Sequence, residues 1–236
     1  MKLIISRKGF DTGSGGGPSP IVDGRPISLP IPVGRGEGGG VTYGSIGLGN
    51  HVRDPQALCH HDPYFHDHRV AFGQAGAAQG HLRNQGVGVG DTFLFFGLFA
   101  EHGGGEWHHR IFGYLRVREV IDVAKADAPP DFASTHAHFA NLGWANNTLY
   151  VGRGAAARRA SEMLRMTVPL GPASLWEVPV WLHQKRALSY HRAPARWLDD
   201  NRLQTVARGQ EFVTDITDDV EAQTWVETII DEIERR

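Results

Sequence analysis

The stretch that decides the fold reads VGVGDTFLFFGLF at Val87–Phe99 and HRIFGYLRVREVI at His109–Ile121. A Gly-Asp turn leads into the first, aromatic run, which is too apolar on both faces for a surface strand. Gly103–Gly105 provides the reversal, and the second run alternates apolar and charged residues as a half-buried strand does. The pattern predicts a β-hairpin whose first strand lies inside a sheet.

Three further segments complete the predicted fold. Thr148–Val151 follows an Asn-Asn turn and is typical of a strand, and residues 155–166 are Ala-rich, as in a short helix. The last segment is capped by Thr217 or Asp218 and carries the apolar stripe of an amphipathic helix. We therefore expect one α+β domain over residues 1–236, with a mixed, mostly antiparallel sheet and a C-terminal amphipathic helix.

Composition is that of an ordinary globular protein, with 236 residues of which 41% are hydrophobic and 21% charged. The chain lacks the long apolar run that a membrane span needs, so we expect no membrane partner and residence in the cytoplasm. The single cysteine, Cys59, excludes an internal disulfide and a cysteine-based zinc site. Residues 210–236 hold nine acids and two arginines. The remainder is mildly basic, which is compatible with a phosphate or nucleic-acid ligand.

The N-terminal segment carries the first candidate site. The apolar run Leu3–Ile5 is followed by SRKGFD at Ser6–Asp11 and by TGSGGGPSP at Thr12–Pro20. Backbone N–H groups freed by glycine can form an anion-binding nest, to which Arg7 and Lys8 add positive charge. The segment lacks the Walker and dinucleotide-binding signatures, so neither ATP hydrolysis nor nicotinamide binding follows from it.

We predict that this loop holds a substrate phosphate and that Asp11 acts as a base or holds a substrate hydroxyl. The predicted substrate-binding residues are Arg7, Lys8, Ser14, Gly15, Gly16 and Ser19. The alternative is a flexible loop with a solvated Arg-Lys pair.

Nine of the thirteen histidines lie between positions 51 and 109, and the densest group is Cys59–His68 (CHHDPYFHDH). In an extended segment His60 and Asp62 share one face, as do His66 and His68. Histidine and carboxylate ligands suit zinc, manganese or iron. The alternative is a histidine-rich surface with one or two functional members. We include no metal in the predicted site and take Asp62 as a fixed catalytic carboxylate.

A second histidine motif is HAHF at His136–Phe139. In a strand, both imidazoles project from the same face. Such a pair can bind a metal, a phosphate or a base edge, or can act as acid and base; the alternative is two half-exposed histidines. We predict that His136 and His138 are catalytic and that His136 shares one concave site with Asp11 and Asp62.

Taken together, the motifs resemble the family called nucleotide-modification-associated domain 3. The motifs that carry the resemblance are SRKGFD at 6–11, SGGGPSPI at 14–21, HHDPYF at 60–65, GVGVGDTFLFFGLF at 86–99, HRIFGYLRV at 109–117, HAHF at 136–139 and NNTLYV at 146–151. The resemblance runs from residue 3 to about residue 230. It implies an α+β domain linked with phage or bacterial systems that elaborate bases in DNA, and it leaves the reaction unspecified. The matching motif positions among the candidate residues are Arg7, Lys8, Asp11, Ser14, Asp62, His136 and His138. The hairpin alone is also similar to the central strands of PUA-like barrels.

These observations favour an enzyme that acts on a modified base or nucleotide, with nucleotide or DNA as its partner and other base-modification enzymes working beside it. Two alternatives stay open: a non-catalytic module that recognises modified bases, and a metal-dependent hydrolase that uses residues 59–68. An enzyme needs several titratable groups in one pocket, whereas a reader needs an aromatic cage with few of them. The sequence leaves the cofactor, the reaction and the donor group unknown.

Overall fold

A computed structural model of the chain describes residues 1–33, 38–206 and 209–235. Its strands are β1 (Lys2–Arg7), β2 (Ser19–Val22), β3 (Arg25–Pro26), β4 (Tyr64–His66), β5 (Arg69–Gln74), β6 (Thr92–Glu101), β7 (His108–Asp122), β8 (Thr148–Ala156), β9 (Leu175–Glu177), β10 (Trp197–Leu198), β11 (Arg202–Gln204) and β12 (Glu211–Asp215). Its α-helices are α1 (Gly76–Asn84), α2 (Ala137–Ala140), α3 (Val180–Lys185) and α4 (Val220–Glu234). The chain is α+β, as predicted.

The hairpin predicted from the sequence forms the centre of a large mixed sheet. The strand order is β12-β1-β6-β7-β8-β5-β4, and all neighbours are antiparallel except β1 and β6, which are parallel. The short β2 also pairs with β6 in parallel and with β3 in antiparallel orientation. A small sheet of order β10-β11-β9 lies apart from it. The β6–β7 hairpin confirms the prediction from residues 87–121.

Two successive parallel pairings along β6 create the N-terminal loop. β1 follows β6 as far as Arg7, which is paired with Phe96. The chain then leaves the sheet and returns at Ser19, which is paired with Phe99 at the start of β2. Residues 8–18 therefore form a loop whose two ends are anchored on the same strand.

The large sheet is bent, so that strands far apart in its order are in contact. The ring centroid of Phe72 in β5 lies 5.1 Å from that of Phe93 and 5.3 Å from that of Phe95, although β7 and β8 separate β5 from β6. Buried apolar side chains inside the bend form one core cluster. A second cluster on the other face includes side chains of α3, α4 and the small sheet. β4 and β12 end the strand order and do not pair with each other, so the described sheet is not closed into a PUA-like barrel.

One local prediction was wrong because tertiary pairing outweighs local propensity. The Ala-rich stretch at residues 155–166 is not a helix, since β8 continues to Ala156 against β7, and only Glu162–Leu164 form a short 3-10 turn. The HAHF motif is not extended: His136 is the N-cap of the short helix α2, so its imidazole and that of His138 do not project from one strand face.

The predicted C-terminal amphipathic helix is confirmed as α4. Its N-cap is Asp219 and neither of the predicted residues Thr217 and Asp218, and Asp219 Oδ1 accepts a hydrogen bond from the Ala222 N–H at 2.9 Å. Val226, Ile229 and Ile233 are buried on its inner face. Among the described residues, no helix combines the length and apolar character that crossing a membrane requires.

Candidate functional site

A cavity of about 460 Å³ opens where the N-terminal loop, the end of β5 and the segment around α2 meet. Its titratable lining side chains are Arg7, Lys8, Asp11, His60, Asp62 and His138. Trp144, Gly209 and Gln210 complete part of the wall. The volume lies in the range of about 300–1,000 Å³ that small-molecule sites occupy. Groups from four distant parts of the sequence therefore share one cleft.

Asp62 forms the buried centre of this cavity. Its Oδ1 accepts a hydrogen bond from the Gly73 N–H at 3.0 Å and one from His136 Nε2 at 3.2 Å. Burial acts to raise the pKa of Asp62, but interactions with His136 and His60 outweigh burial and hold that pKa well below its usual range. Asp62 is therefore an ionised carboxylate. Its Oδ1 is used by these two hydrogen bonds, and its Oδ2 faces the imidazoles of His60 and His138.

The tautomer of His138 follows from its neighbour Asn147. The Asn147 amide nitrogen donates to the backbone oxygens of His138 at 2.8 Å and Asn141 at 3.1 Å, so its Oδ1 is an acceptor. His138 Nδ1 lies 2.5 Å from that oxygen and must carry the proton. Burial lowers the pKa of His138 to about 4, against the attraction of Asp62. His138 is thus neutral near pH 7 and directs a bare Nε2 lone pair towards Asp62 Oδ2, 3.9 Å away.

His60 approaches the same carboxylate oxygen from the other side. Its Nε2 lies 3.6 Å from Asp62 Oδ2, beyond a normal hydrogen-bond length. One ligand atom each from His60, Asp62 and His138 lie within 4.8 Å of one another. Two imidazole nitrogens and one carboxylate oxygen are a donor set suited to a divalent transition metal.

Gly73 allows His138 to reach this position. A Cβ built on Gly73 would lie 2.1 Å from Cδ2 and 2.5 Å from Nε2 of His138, which is far inside contact distance. The backbone of β5 and the imidazole can therefore pack face to face only because residue 73 has no side chain. The same residue donates its N–H to Asp62.

Trp144 provides the aromatic part of the wall. Its ring centroid lies 5.0 Å from that of His138, at an interplanar angle of 84°, and 5.9 Å from that of His60. The side chain is half-buried and lines the cavity. A tryptophan face in such a position can stack on a planar base.

Lys8 lines the cavity with its charge already paired. Its Nζ lies 2.8 Å from Glu211 Oε1, and Gln74 Nε2 donates to the same oxygen at 2.7 Å. The ammonium also lies 4.3 Å from the ring centroid of Phe72. The side chains of Lys8 and Glu211 are 10% and 1% exposed. This is a buried ion pair that ties the end of β1 to β12 and β5.

Arg7 is the second cation of the cavity. Burial lowers the pKa of Arg7, and the negative charge of Asp11 acts in the opposite direction. Its guanidinium carbon lies 5.6 Å from the ring centroid of Phe96. Because guanidinium stays protonated in proteins, Arg7 keeps its positive charge at the cavity wall.

Asp11 has a clear role in the shape of the loop. Its Oδ1 accepts hydrogen bonds from the N–H groups of Gly13 and Ser14, both at 2.7 Å. The Asp11 N–H donates to the Ser14 carbonyl at 2.8 Å, and Gly17 N–H donates to the Asp11 carbonyl at 3.1 Å. This is an Asx-type turn that places the carboxylate at the cavity.

A family model described as nucleotide modification associated domain 3 matches residues 2–215 of the chain. The chain belongs to this family. The resemblance found in the sequence motifs is thereby confirmed, and the family links the protein to nucleotide or DNA modification. No curated protein and no solved structure matches the chain.

In this nucleotide modification associated domain 3 protein, several predicted residues meet at the cavity. Arg7, Lys8, Asp11, Ser14, Asp62 and His138 line it. His136 lies behind the wall: its side chain is fully buried, its Nδ1 accepts from the His138 N–H at 3.4 Å, and its Nε2 donates to Asp62. His136 therefore holds Asp62 and cannot itself touch a substrate in this geometry.

Three predicted substrate-binding residues do not line the cavity. Gly15 and Gly16 adopt positive φ values of 94° and 79°, and Gly15 packs against the ring of Phe10. Ser19 is buried, and its Oγ accepts a hydrogen bond from the Leu29 N–H at 3.0 Å. These residues shape the loop and anchor its return to the sheet.

The predicted pair His66 and His68 does not share a strand face. β4 ends at His66, and positive φ values of 44° at Asp67 and 61° at His68 turn the chain into β5. Both imidazoles are exposed on this turn, away from the carboxylate of Asp62. Only the His60–Asp62 half of the histidine-rich segment belongs to the cavity.

Gly73, Trp144, Asn147 and Glu211 are among the residues of the site that the sequence did not predict. Glu211 was counted with the acidic C-terminal segment, although it begins the strand-like run EFVTD, which is a signal for a buried position. Asn147 was interpreted as a turn residue only. The other two carry no sequence signal, because their roles depend on packing between distant segments.

Proposed function

We propose that this protein is an enzyme that acts on a nucleotide or a DNA base. The observation that carries the proposal is the convergence of Arg7, Asp11, His60, Asp62 and His138 on one cavity. Structural ion pairs also bring charges together, but here a neutral imidazole and an ionised carboxylate face each other next to an open cleft. Perturbed titratable groups in a cleft are typical of catalytic sites.

The two sides of the cavity suit different parts of a nucleotide. On one side Arg7 and the N-terminal loop would hold a phosphate group. On the other side Trp144 would stack on the base, next to Asp62 and His138. Lys8 contributes less to phosphate binding, because its charge is taken up by Glu211. Asp11 would meet a sugar or base hydroxyl from the loop.

The composition of the cavity favours an enzyme over a non-catalytic reader. A reader surrounds a base with aromatic side chains and carries few titratable groups. The described wall includes one tryptophan and six titratable side chains. Because the family is described as associated with nucleotide modification, we expect other modification enzymes to supply the substrate or to process the product.

The test is mass spectrometry of nucleosides from DNA of the native cells with and without the gene. We expect a modified nucleoside, or its precursor, to change in amount when the gene is lost. Complementation with Arg7→Gln and His138→Gln should fail, whereas His66→Gln, which alters an exposed histidine on the β4–β5 turn, should restore the modification. Identical nucleoside profiles with and without the gene would overturn the proposal.

A further inference from the structure

We infer that His60, Asp62 and His138 bind a divalent transition-metal ion, of the Zn²⁺, Mn²⁺ or Fe²⁺ class, in the wall of the cavity. The three residues come from two sequence motifs that the fold brings together. Any role of the ion in acting on a substrate rests on the proposed function. Binding of the ion depends only on these three side chains and can be tested without a substrate.

The ligand atoms are oriented for an ion by their hydrogen-bond partners. His138 donates its Nδ1–H to Asn147, which leaves the electron pair of Nε2 available to an ion. Asp62 uses Oδ1 to accept from Gly73 and His136, which leaves Oδ2 for an ion. Metal-binding histidines and carboxylates are characteristically held by such outer hydrogen bonds.

The distances fit an ion at the meeting point of the three residues. Asp62 Oδ2 lies 3.6 Å from His60 Nε2 and 3.9 Å from His138 Nε2. Ligands about 2.0–2.2 Å from a tetrahedral zinc are separated by about 3.3–3.6 Å. All three ligand atoms lie within 4.8 Å of one another, so an ion bound between them would draw the ligands slightly closer together.

The charge of Asp62 also suits a cation. The cavity lining carries two cationic side chains, Arg7 and Lys8, and two carboxylates, Asp11 and Asp62, and Lys8 is already paired with Glu211 behind the wall. A nucleotide phosphate would add negative charge. A divalent ion on Asp62 offsets that charge and gives phosphate or base oxygens a second positive group besides Arg7.

Three protein ligands leave coordination positions that face the cavity. Structural zinc sites close the coordination sphere with four protein ligands, whereas catalytic sites keep an open position for water or substrate. His60 is the ligand nearest to the opening, with 15% of its side chain exposed, while Asp62 and His138 are each 3% exposed. The geometry therefore points to an accessible ion and not to a structural one.

Calorimetric titration of chelator-treated, dialysed full-length protein with ZnCl₂ and with MnCl₂ tests the inference. We expect one ion per chain. His60→Gln should weaken binding by at least about 100-fold, since even loss of an outer partner costs about 10–100-fold. His66→Gln is the matched control, because it makes the same substitution six residues further along the chain. The His66 imidazole is 46% exposed and lies outside the site.

A second measurement on the unaltered protein covers the case in which His60→Gln fails to fold. Mn²⁺ broadens NMR signals of nearby nuclei, so the imidazole signals of His60 and His138 should disappear while that of His66 persists. Failure to bind either ion at micromolar concentration would overturn the inference, as would binding that is equally weak in both variants or broadening centred on His66. None of these readouts uses a substrate. Metal binding with unchanged DNA nucleosides would thus refute the proposed function and leave the metal site standing.

Discussion

Replacing Glu211 by glutamine should destabilise the protein strongly, because it removes one half of a buried ion pair. Glu211 Oε1 accepts from Lys8 Nζ at 2.8 Å and from Gln74 Nε2 at 2.7 Å. Glutamine has nearly the same size, so the change removes the charge and leaves the packing. The Lys8 ammonium would remain beside Phe72 with no carboxylate.

The expected loss follows from the burial of both partners. Breaking a buried pair by removing one charge costs about 3–5 kcal/mol. Since 10% of the Lys8 side chain is still exposed, we expect the lower end, about 3 kcal/mol. For a chain of this length, that loss lowers Tm by about 6–12 °C. Added salt should change the effect little, because buried pairs are poorly screened.

Calorimetric or circular-dichroism melting measures this change, with Glu227→Gln as the matched control. Glu227 pairs with Arg116 on the surface, where both side chains are about half exposed, and such a pair contributes about 0–1 kcal/mol. The double variant Lys8→Met/Glu211→Gln should recover much of the loss. If Glu211→Gln melts within a degree or two of Glu227→Gln, Lys8 does not depend on this carboxylate and its role as a phosphate ligand regains support.

Burial lowers the pKa of His109 from 6.5 to about 3 in the folded protein. At a pH between these two values, His109 is protonated in the unfolded chain and neutral in the folded protein. The free energy of unfolding should therefore fall on acidification below pH 6.5, by up to about 1.4 kcal/mol per pH unit from this group, and urea unfolding of His109→Gln should show a shallower pH slope. Gly73→Ala should displace the His138 ring and weaken Zn²⁺ binding about 10–100-fold, while Gly143→Ala, at a glycine with open space around its Cβ, should leave the calorimetric titration unchanged. Asp11→Asn keeps the Oδ1 acceptor, so it should cost at most about 1 kcal/mol in melting experiments and yet abolish complementation in the nucleoside assay; an active, normally folded variant would remove Asp11 from the mechanism. Chelation should leave a cooperative melting transition, because the core clusters contain no metal ligands, and should lower Tm only by the free energy of ion binding; loss of the transition would make the metal site structural.

The parts of the fold that the sequence predicts correctly are those encoded within a single segment. The hairpin follows from a turn between two apolar runs, and α4 follows from a cap and an apolar stripe, so neither needs information from elsewhere in the chain. The helix predicted at residues 155–166 fails because Ala156 gains a partner in β7, and that pairing cannot be read from local propensity.

The candidate site shows the same division between local and distant information. Asp62 and His138 were singled out because short polar motifs next to apolar runs are visible in the sequence. The Lys8–Glu211 pair joins residues 203 positions apart, and no pattern near either residue predicts the other. His136 was expected at the cavity because a strand would place it on the same face as His138. The helical N-cap conformation turns it behind Asp62 instead.

The anchoring of residues 8–18 makes the loop an exchangeable part of the molecule. Its ends are fixed beside Phe96 and Phe99, which are about 10 Å apart along the strand. A loop of different length or composition can span the same gap without shifting the register of β1, β2 or β6. Closure entropy changes by only about 0.6 kcal/mol when such a loop doubles in length. Under the proposed function, exchange of this segment alone would change the groups offered to a substrate, while the carboxylate and imidazoles on the opposite wall stay as they are.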